Sequence, residues 1–251
     1  NGTINCLDIE SRIQNNTKLI SIMYVNNEIG SINPIKEISQ LTKENKILFH
    51  TDAVQAMGKI NIDVNDIGVD LLSLSGHKFY GPKGVGILFV KEATLVKPIL
   101  FGGGQESDLF PGTENIINIG AIGKAAEICM KNIDSHTRTL CDLETHFIYL
   151  LNQAKVNYRI NGKNRAPGVL NITLPNTNSQ SFIINLDREG YAISAGSACA
   201  SGSIKGSQTL KEIGLNDTDM RCSYRISFSK YHNVKDVENL FNVMLKYIKA
   251  N

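Results

Sequence analysis

The sequence predicts an α/β fold built on a mainly parallel sheet. Two observations support this: strand-like apolar segments alternate with helical patterns, and polar residues follow directly after strand ends. Strands are predicted at 17–25, 47–50, 69–73 and 85–90, and a helix at 34–46 separates the first two. Alternation at this spacing is typical of strands joined by helical crossovers, which makes the sheet parallel.

The second half of the chain has a different pattern. Long helices are predicted at 116–132, 137–153 and 234–249, because apolar residues recur there at helical spacing. Shorter elements are predicted between and after them: strands at 168–174, 191–194 and 225–228, and a helix at 179–189. We therefore expect residues 1–130 to be the C-terminal part of a large domain and residues 131–251 to form a smaller α+β domain.

Composition excludes several function classes. The chain has 251 residues, of which 42% are hydrophobic and 20% charged, with a net charge of +2. These values are ordinary for a globular protein and predict no nucleic-acid partner. No apolar stretch approaches the length of about 18 residues needed for a membrane span, so no membrane partner is expected. The five cysteines include no CxxC pair, which predicts no metal site and favours a reducing, cytoplasmic location.

A lysine between two predicted strands is the first candidate for chemistry. Lys78 lies in the turn of LSLSGHKFYGPKGVG, residues 72–86, where it is held at a sheet edge. Asn27, Asp52 and Lys78 all follow predicted strand ends, and ligands bind at the carboxyl ends of parallel strands. A lysine that forms a Schiff base and a carboxylate that pairs with a pyridinium nitrogen are what pyridoxal phosphate requires. A surface lysine in a turn is the alternative interpretation.

Cys199 is the candidate nucleophile. It lies in GSACASGS, residues 196–203, among small residues and two glycines, with too little apolar bulk to pack as core. Such a loop suits a nucleophilic thiol that has to move between positions. A buried structural thiol is the alternative.

Five motifs resemble one enzyme family in order and spacing. The resemblance is to the cysteine desulfurases, which are class V aminotransferase-type enzymes of pyridoxal phosphate fold-type I, and it covers the chain from about Thr17 to the last helix. The motifs are YVNNEIG at 24–30, HTDAVQAMGK at 50–59, SGHKFYGPKGVG at 75–86, GGGQE at 102–106 with GTEN at 112–115, and SAGSACASGS at 194–203.

This resemblance implies roles for the cofactor site. Lys78 would attach pyridoxal 5'-phosphate and later move the α-proton of the substrate, and Asp52 would pair with the pyridine nitrogen. Gln55 and Asn27 would bind near the phenolic oxygen of the cofactor. The phosphate would be bound by Ser75 and His77, and by Thr113 from a neighbouring subunit, which implies a homodimer.

The resemblance also implies the substrate and the reaction. Arg225, with Asn27, would bind the carboxylate of L-cysteine, and the fork of the guanidinium suits that task. The product would be alanine, and the sulfur would pass as a persulfide on Cys199 to an iron–sulfur scaffold or another acceptor protein. The alternatives are a selenocysteine lyase, another class V enzyme, or an inactive fragment for dimerisation or sulfur relay.

Two features depart from the family pattern. Phe110-Pro111 stands where family members usually have an arginine-serine pair, which leaves the salt bridge of that loop in doubt. Family members also carry an N-terminal part, with further phosphate ligands, before the matching region. We therefore expect this chain to be a truncated or proteolysed piece of a longer protein, or one chain of a split protein.

Overall fold

The computed structural model describes residues 2–92, 96–177, 179–195 and 207–249. It divides into two compact units. The parallel-sheet unit contains residues 4–25 and 33–133, and the antiparallel-sheet unit contains residues 2–3, 26–32 and the described residues from 134 onwards. The predicted domain limits, 1–130 and 131–251, stay a prediction.

The parallel-sheet unit is a four-stranded sheet in the order β1-β2-β3-β4. Strands β1, β2 and β3 run parallel, and β4 is antiparallel to β3. The connection between β3 and β4 is residues 76–85. It is too short for the crossover that parallel strands need, so these two strands are antiparallel. In chain order the elements are α1 Cys6–Glu10, β1 Leu19–Met23, α2 Ile35–Glu44, β2 Leu48–Asp52, α3 Val64–Ile67, β3 Leu71–Ser75, a 3-10 turn Gly76–Phe79, β4 Gly86–Val90 and α4 Ile116–Lys131.

The two faces of this sheet differ in burial. Alternation along β2 places Phe49 and Thr51 in the interior, while His50 and Asp52 project from the opposite, half-buried face. The buried residues of α2, which include Ile35 and Ile38, contribute to the core of this unit. The polar face of β2 is therefore the one available for chemistry.

The antiparallel-sheet unit is a three-stranded sheet in the order β5-β6-β7, with both pairs antiparallel. Its main core joins two strands, one of them the central strand β6, buried at all five positions, to two long helices through Phe147, Leu151, Leu170, Tyr224 and Phe241. The elements are α5 Ile133–Gln153, β5 Arg159–Asn161, β6 Val169–Thr173, α6 Ser179–Arg188, α7 Gln208–Glu212, α8 Asp217–Arg221, β7 Ser223–Ser227 and α9 Val234–Lys249.

The longest helix, α5, begins at 133, four residues before its predicted start at 137, and the predictions that fail altogether concern short elements. The predicted strand at 191–194 is wrong: only Ser194 pairs, in an isolated bridge to Arg225. The sequence also missed β5, because its three residues include a charged and a polar side chain, and missed four helices of four or five residues, which show no period. The terminal helix Val234–Lys249 has its predicted bounds.

Among the helices that the structure describes, none combines the length and the apolar character needed to traverse a bilayer.

The turn after β3 is closely packed, and we predict that it does not tolerate a methyl group. A Cβ at Gly76 would lie 2.9 Å from the Pro82 carbonyl oxygen and 3.1 Å from Ile122 Cδ1. We expect Gly76→Ala to lower the free energy of unfolding by about 1–3 kcal/mol, the usual range for overpacking. Urea denaturation measures this change.

Gly123→Ala is the matched control. Gly123 lies on α4 beside Ile122, and a Cβ there meets nothing within 4 Å. This substitution should stabilise the helix, by about 0.5–1 kcal/mol. A Gly76→Ala protein as stable as the parent would contradict the packing described for the turn.

Candidate active site

Asp52 is fixed at the carboxyl end of β2. It is the last residue of that strand and is in register with Met23 on β1 and Ser73 on β3. Its Oδ1 accepts a hydrogen bond of 2.9 Å from the Val54 backbone N–H, which orients the carboxylate. Within the described residues, Oδ2 has no recorded partner. A second donor can therefore bind this oxygen.

Lys78 projects from a turn whose backbone is held on both sides. The turn begins directly after β3, with Gly76 and Phe79 buried and His77 and Lys78 exposed. The Gly81 N–H donates to the Gly76 carbonyl at 2.9 Å, and the Cys129 thiol donates to the Phe79 carbonyl at 3.3 Å. The backbone is thus anchored to the fold, while the amine of Lys78 points outward.

Several polar side chains near this edge are unused. Over the described part of the chain, no hydrogen bond or ion pair is recorded for the side chains of Ser75, His77 or Lys78, or for Thr113 on the later loop. Gln55 differs, because the Lys59 amine approaches its Oε1 at 3.4 Å and its backbone oxygen at 3.0 Å. One amine, hydroxyls, an imidazole and an unshared carboxylate oxygen fit a ligand that combines a carbonyl, a basic ring nitrogen and a phosphate.

A histidine that the sequence reasoning missed lies beside Asp52. His50 Nδ1 is 2.8 Å from Ser21 Oγ, and His50 Nε2 is 2.8 Å from Ser73 Oγ, so one ring links three strands. Burial lowers the pKa of His50 and the Asp52 carboxylate raises it, with burial the larger effect. Period-2 alternation from Asp52 could have identified His50, because both project from the same face of β2.

The antiparallel-sheet unit brings Arg225 and Asn27 together. Arg225, on β7, donates from Nη1 to the Asn27 backbone oxygen at 2.7 Å. Its backbone pairs with Ser194 through two hydrogen bonds, and its Nη2 lies 3.5 Å from Ser194 Oγ. The orientation of the guanidinium is therefore set by the segment that contains Asn27. This unit is separate from the one that carries Asp52 and Lys78.

Cys199 lies outside the described residues. The other four cysteines offer no better nucleophile. Cys129 and Cys222 are buried, and the Cys222 thiol donates to the Thr177 carbonyl at 2.8 Å. Burial, followed by nearby carboxylates, raises the thiol pKa of Cys6 and of Cys141, which lowers their content of reactive thiolate.

Comparisons with known proteins point to one family and one fold. The profile of the aminotransferase class-V family matches residues 1–240. A relative named cysteine desulfurase IscS, from Clostridium botulinum strain Hall, is 40% identical over 252 residues, which cover 99% of this chain and 64% of the relative. The solved structure of a NifS-like protein has a TM-score of 0.90 and 28% identity, and it covers all of this chain and 66% of that one. A structure of SspA in complex with cysteine has a TM-score of 0.76 and 36% identity, over 92% of this chain and 65% of that one.

The chain belongs to the class-V aminotransferase family, and its predicted fold-type I architecture is confirmed. The sequence resemblance to cysteine desulfurases is confirmed as well. The chain spans about two thirds of the length of the curated relatives that it matches, 64% in the Clostridium case.

The burial of His50 predicts a pH effect on stability. Its pKa in the folded protein is below the usual 6.5, so the unfolded chain binds the proton first as pH falls. This histidine therefore makes the folded state less stable as pH drops below about 6.5, and has little effect above that value. Denaturation between about pH 5 and about pH 7.5 should show a shallower loss of stability at acid pH for His50→Gln than for the parent. Equal slopes for the two proteins would contradict this prediction, as would an NMR titration that places the pKa of His50 at or above 6.5.

Proposed function

We propose that the protein containing this chain is a pyridoxal phosphate-dependent cysteine desulfurase. The observation that carries the proposal is the edge of the parallel sheet, where adjacent strands present an oriented carboxylate, Asp52, and an amine without a recorded partner, Lys78. The name of the Clostridium relative and the complex of SspA with cysteine favour L-cysteine as the substrate. The product would be alanine.

Different residues would bind different parts of pyridoxal 5'-phosphate. Lys78 would attach the cofactor through its carbonyl carbon, and Asp52 Oδ2 would accept a hydrogen bond from the protonated pyridine nitrogen and so keep it protonated. Ser75 and His77 would bind the phosphate, and Gln55 and Asn27 the region of the phenolic oxygen. When bound, the cofactor supplies an electron sink for the carbanion formed at the substrate α-carbon.

Substrate orientation and proton transfer would be carried out by two basic residues, Arg225 and Lys78. Arg225 would bind the substrate carboxylate through the part of its guanidinium not used by the Asn27 carbonyl, and Asn27 would lie beside that carboxylate. The amine of Lys78, once released, would take the α-proton and return a proton to carbon. Both residues therefore fix which bond at the α-carbon is broken.

Cys199 would take the sulfur. Its thiolate attacks the sulfur of cysteine, an S–S bond forms, and the C–S bond breaks with its electron pair left on carbon. Protonation of that carbon gives alanine, and the sum is cysteine plus thiol giving alanine plus persulfide. No external oxidant or reductant is needed. The persulfide would pass to an iron–sulfur scaffold or another acceptor protein, and a cytoplasmic location remains part of the proposal.

Exposed apolar side chains support a homodimer. Segment 99–117 of the parallel-sheet unit carries large apolar residues in solvent, with Phe101 86% and Ile117 81% exposed; the others are Ile99, Leu100, Phe110 and Ile116. Such exposure is typical of a surface covered by a partner. Thr113 lies within this segment. If a second copy of the chain packs against the segment, Thr113 of one subunit would lie near the phosphate site of the other. Phe110 adds to this apolar surface where relatives of the family use charge.

Variants at Lys78 and Cys199 test the proposed activity in the full-length protein. Lys78→Ala should lose the visible absorbance of the attached cofactor and almost all alanine production. Cys199→Ser should keep the cofactor spectrum and lose sulfur transfer by about 10²-fold or more, because the alcohol cannot replace the thiolate. Spectroscopy with assays for alanine, sulfide and protein-bound persulfide measures both effects.

Each alternative has its own result in the same assays. A keto acid in place of alanine would indicate an aminotransferase, and preference for selenocysteine a selenocysteine lyase. An absence of cofactor binding in the parent protein would indicate a dimerisation or relay fragment. Alanine and sulfide at the parent rate from Cys199→Ser would overturn the role given to the thiol.

The homodimer is tested by a charge placed in the exposed segment. Ile117→Asp should shift the sedimentation coefficient from dimer to monomer, since burial of an unpaired carboxylate costs several kcal/mol. Ile184→Asp is the matched control, because Ile184 is 53% exposed on the antiparallel-sheet unit and lies outside the segment. A monomeric parent, or dissociation by both variants alike, would contradict the assignment of this surface.

A further inference from the structure

The described residues on either side of the Cys199 segment, which itself lies outside the described residues, are held by the dipeptide Asn27-Glu28, through Arg225 on one side and directly on the other. On its N-terminal side, Ser194 pairs with Arg225, which donates to the Asn27 carbonyl. On its C-terminal side, Ser207 and Thr209 donate to the side chain of Glu28. We propose that Glu28 is a positioning residue, which fixes the point where the Cys199 segment re-enters the fold. The inference rests on the proposed function only through the role of Cys199.

Both oxygens of the Glu28 carboxylate accept hydrogen bonds from residues that follow the Cys199 segment. Ser207 Oγ donates to Oε2 at 2.5 Å, and Thr209 Oγ1 donates to Oε1 at 3.0 Å. Ser207 Oγ also accepts the Leu210 N–H at 3.0 Å, so the same hydroxyl caps α7. The carboxylate therefore holds the first turn of the helix that follows the Cys199 segment.

A carboxylate suits these contacts better than an amide or a hydroxyl would. Two hydroxyl donors face it, and a carboxylate offers an acceptor oxygen to each, whereas an amide offers one. Glu28 is only 8% exposed, and no ion pair reaches it among the residues that the structure describes. Burying a carboxylate in this way is costly unless its oxygens are hydrogen-bonded, and here they are.

The backbone that carries Glu28 is itself held firmly. Asn26 Oδ1 accepts the N–H groups of Glu28 and Ile29 at 2.9 and 3.0 Å, and Asn171 Nδ2 donates to the Glu28 carbonyl at 3.1 Å. Gly30 has φ +73°, and a Cβ there would lie 3.1 Å from Val169, so the loop packs directly on β6. The position of Glu28 is therefore fixed, and Ser207 and Thr209 bind to it.

The two sides of the Cys199 segment are held by different groups, so a substitution can affect one side without the other. Arg225 uses the backbone carbonyl of Asn27, whereas Ser207 and Thr209 use the side chain of Glu28. Removal of the carboxylate should therefore release the C-terminal end alone and leave the substrate-binding guanidinium in place. Small displacements of a reacting group slow chemistry far more than binding.

The test compares three variants of the holoenzyme. Glu28→Ala removes both acceptor oxygens, and Glu28→Gln keeps one. Glu144→Ala is the matched control, because Glu144 is a partly buried carboxylate of this unit, with its side chain 13% exposed, that pairs with Arg165 and makes no hydrogen bond to Ser207 or Thr209. The measurements are the rate of Cys199 alkylation by iodoacetamide, followed by mass spectrometry, the hydrogen exchange of the Leu210 amide, and kcat and KM for cysteine.

The proposal predicts a specific pattern. In Glu28→Ala, Cys199 alkylation should rise at least about threefold and Leu210 exchange about tenfold, while kcat falls about tenfold and KM changes by less than about twofold. Glu28→Gln should recover part of each effect. Glu144→Ala should lose stability without changing Cys199 alkylation.

Other patterns overturn the proposal. Unchanged alkylation and exchange in Glu28→Ala would do so, as would the same changes in Glu144→Ala. If Glu28→Ala does not fold, the double variant Ser207→Ala and Thr209→Val removes the two donors instead and must reproduce the pattern. If the parent does not desulfurate cysteine, the proposed function fails, whereas the alkylation and exchange results still decide the role of Glu28.

Discussion

The pairing of β2 with β3 is the constraint on which the candidate site depends. Parallel register places Asp52 opposite Ser73, so the last residue of one strand and the end of the next reach the same edge of the sheet. Because the chain continues from β3 straight into the 3-10 turn, Lys78 comes three residues after Ser75. A shift of one residue would turn Asp52 and His50 together to the opposite face of the sheet and separate both from Ser73.

Rigidity at this edge comes from packing behind the polar groups. Phe79 joins Met57, Ile122 and Cys129 in a small core between the turn and α4, and Gly76 is small enough to let the backbone approach Pro82. The buried side of the turn is thus apolar and closely packed, and the exposed side carries the imidazole and the amine. The same four-residue turn contains the buried Phe79, which packs in the core, and the exposed Lys78, which carries the amine.

The sequence predicted the sheet, the long helices and the residues at the strand ends, because each of these has a clear period or a turn residue. It did not predict His50, whose importance depends on hydroxyls from two other strands, or Glu28, whose partners are about 180 positions later in the chain. Contacts between distant segments leave no local pattern. The strand predicted at 191–194 was wrong for the same reason, since its apolar residues pack on the core while only Ser194 finds a backbone partner.

The central claim is that the amine of Lys78 reacts with a carbonyl at the edge where Asp52 ends its strand. The most direct measurement is to treat the holoenzyme, freed of unbound cofactor, with borohydride, which fixes a lysine–cofactor linkage, and to map the modified peptide by mass spectrometry. We expect one modified lysine, at position 78, and no label on apoprotein treated in the same way. A label on a different lysine, or no stable label at all, would contradict it.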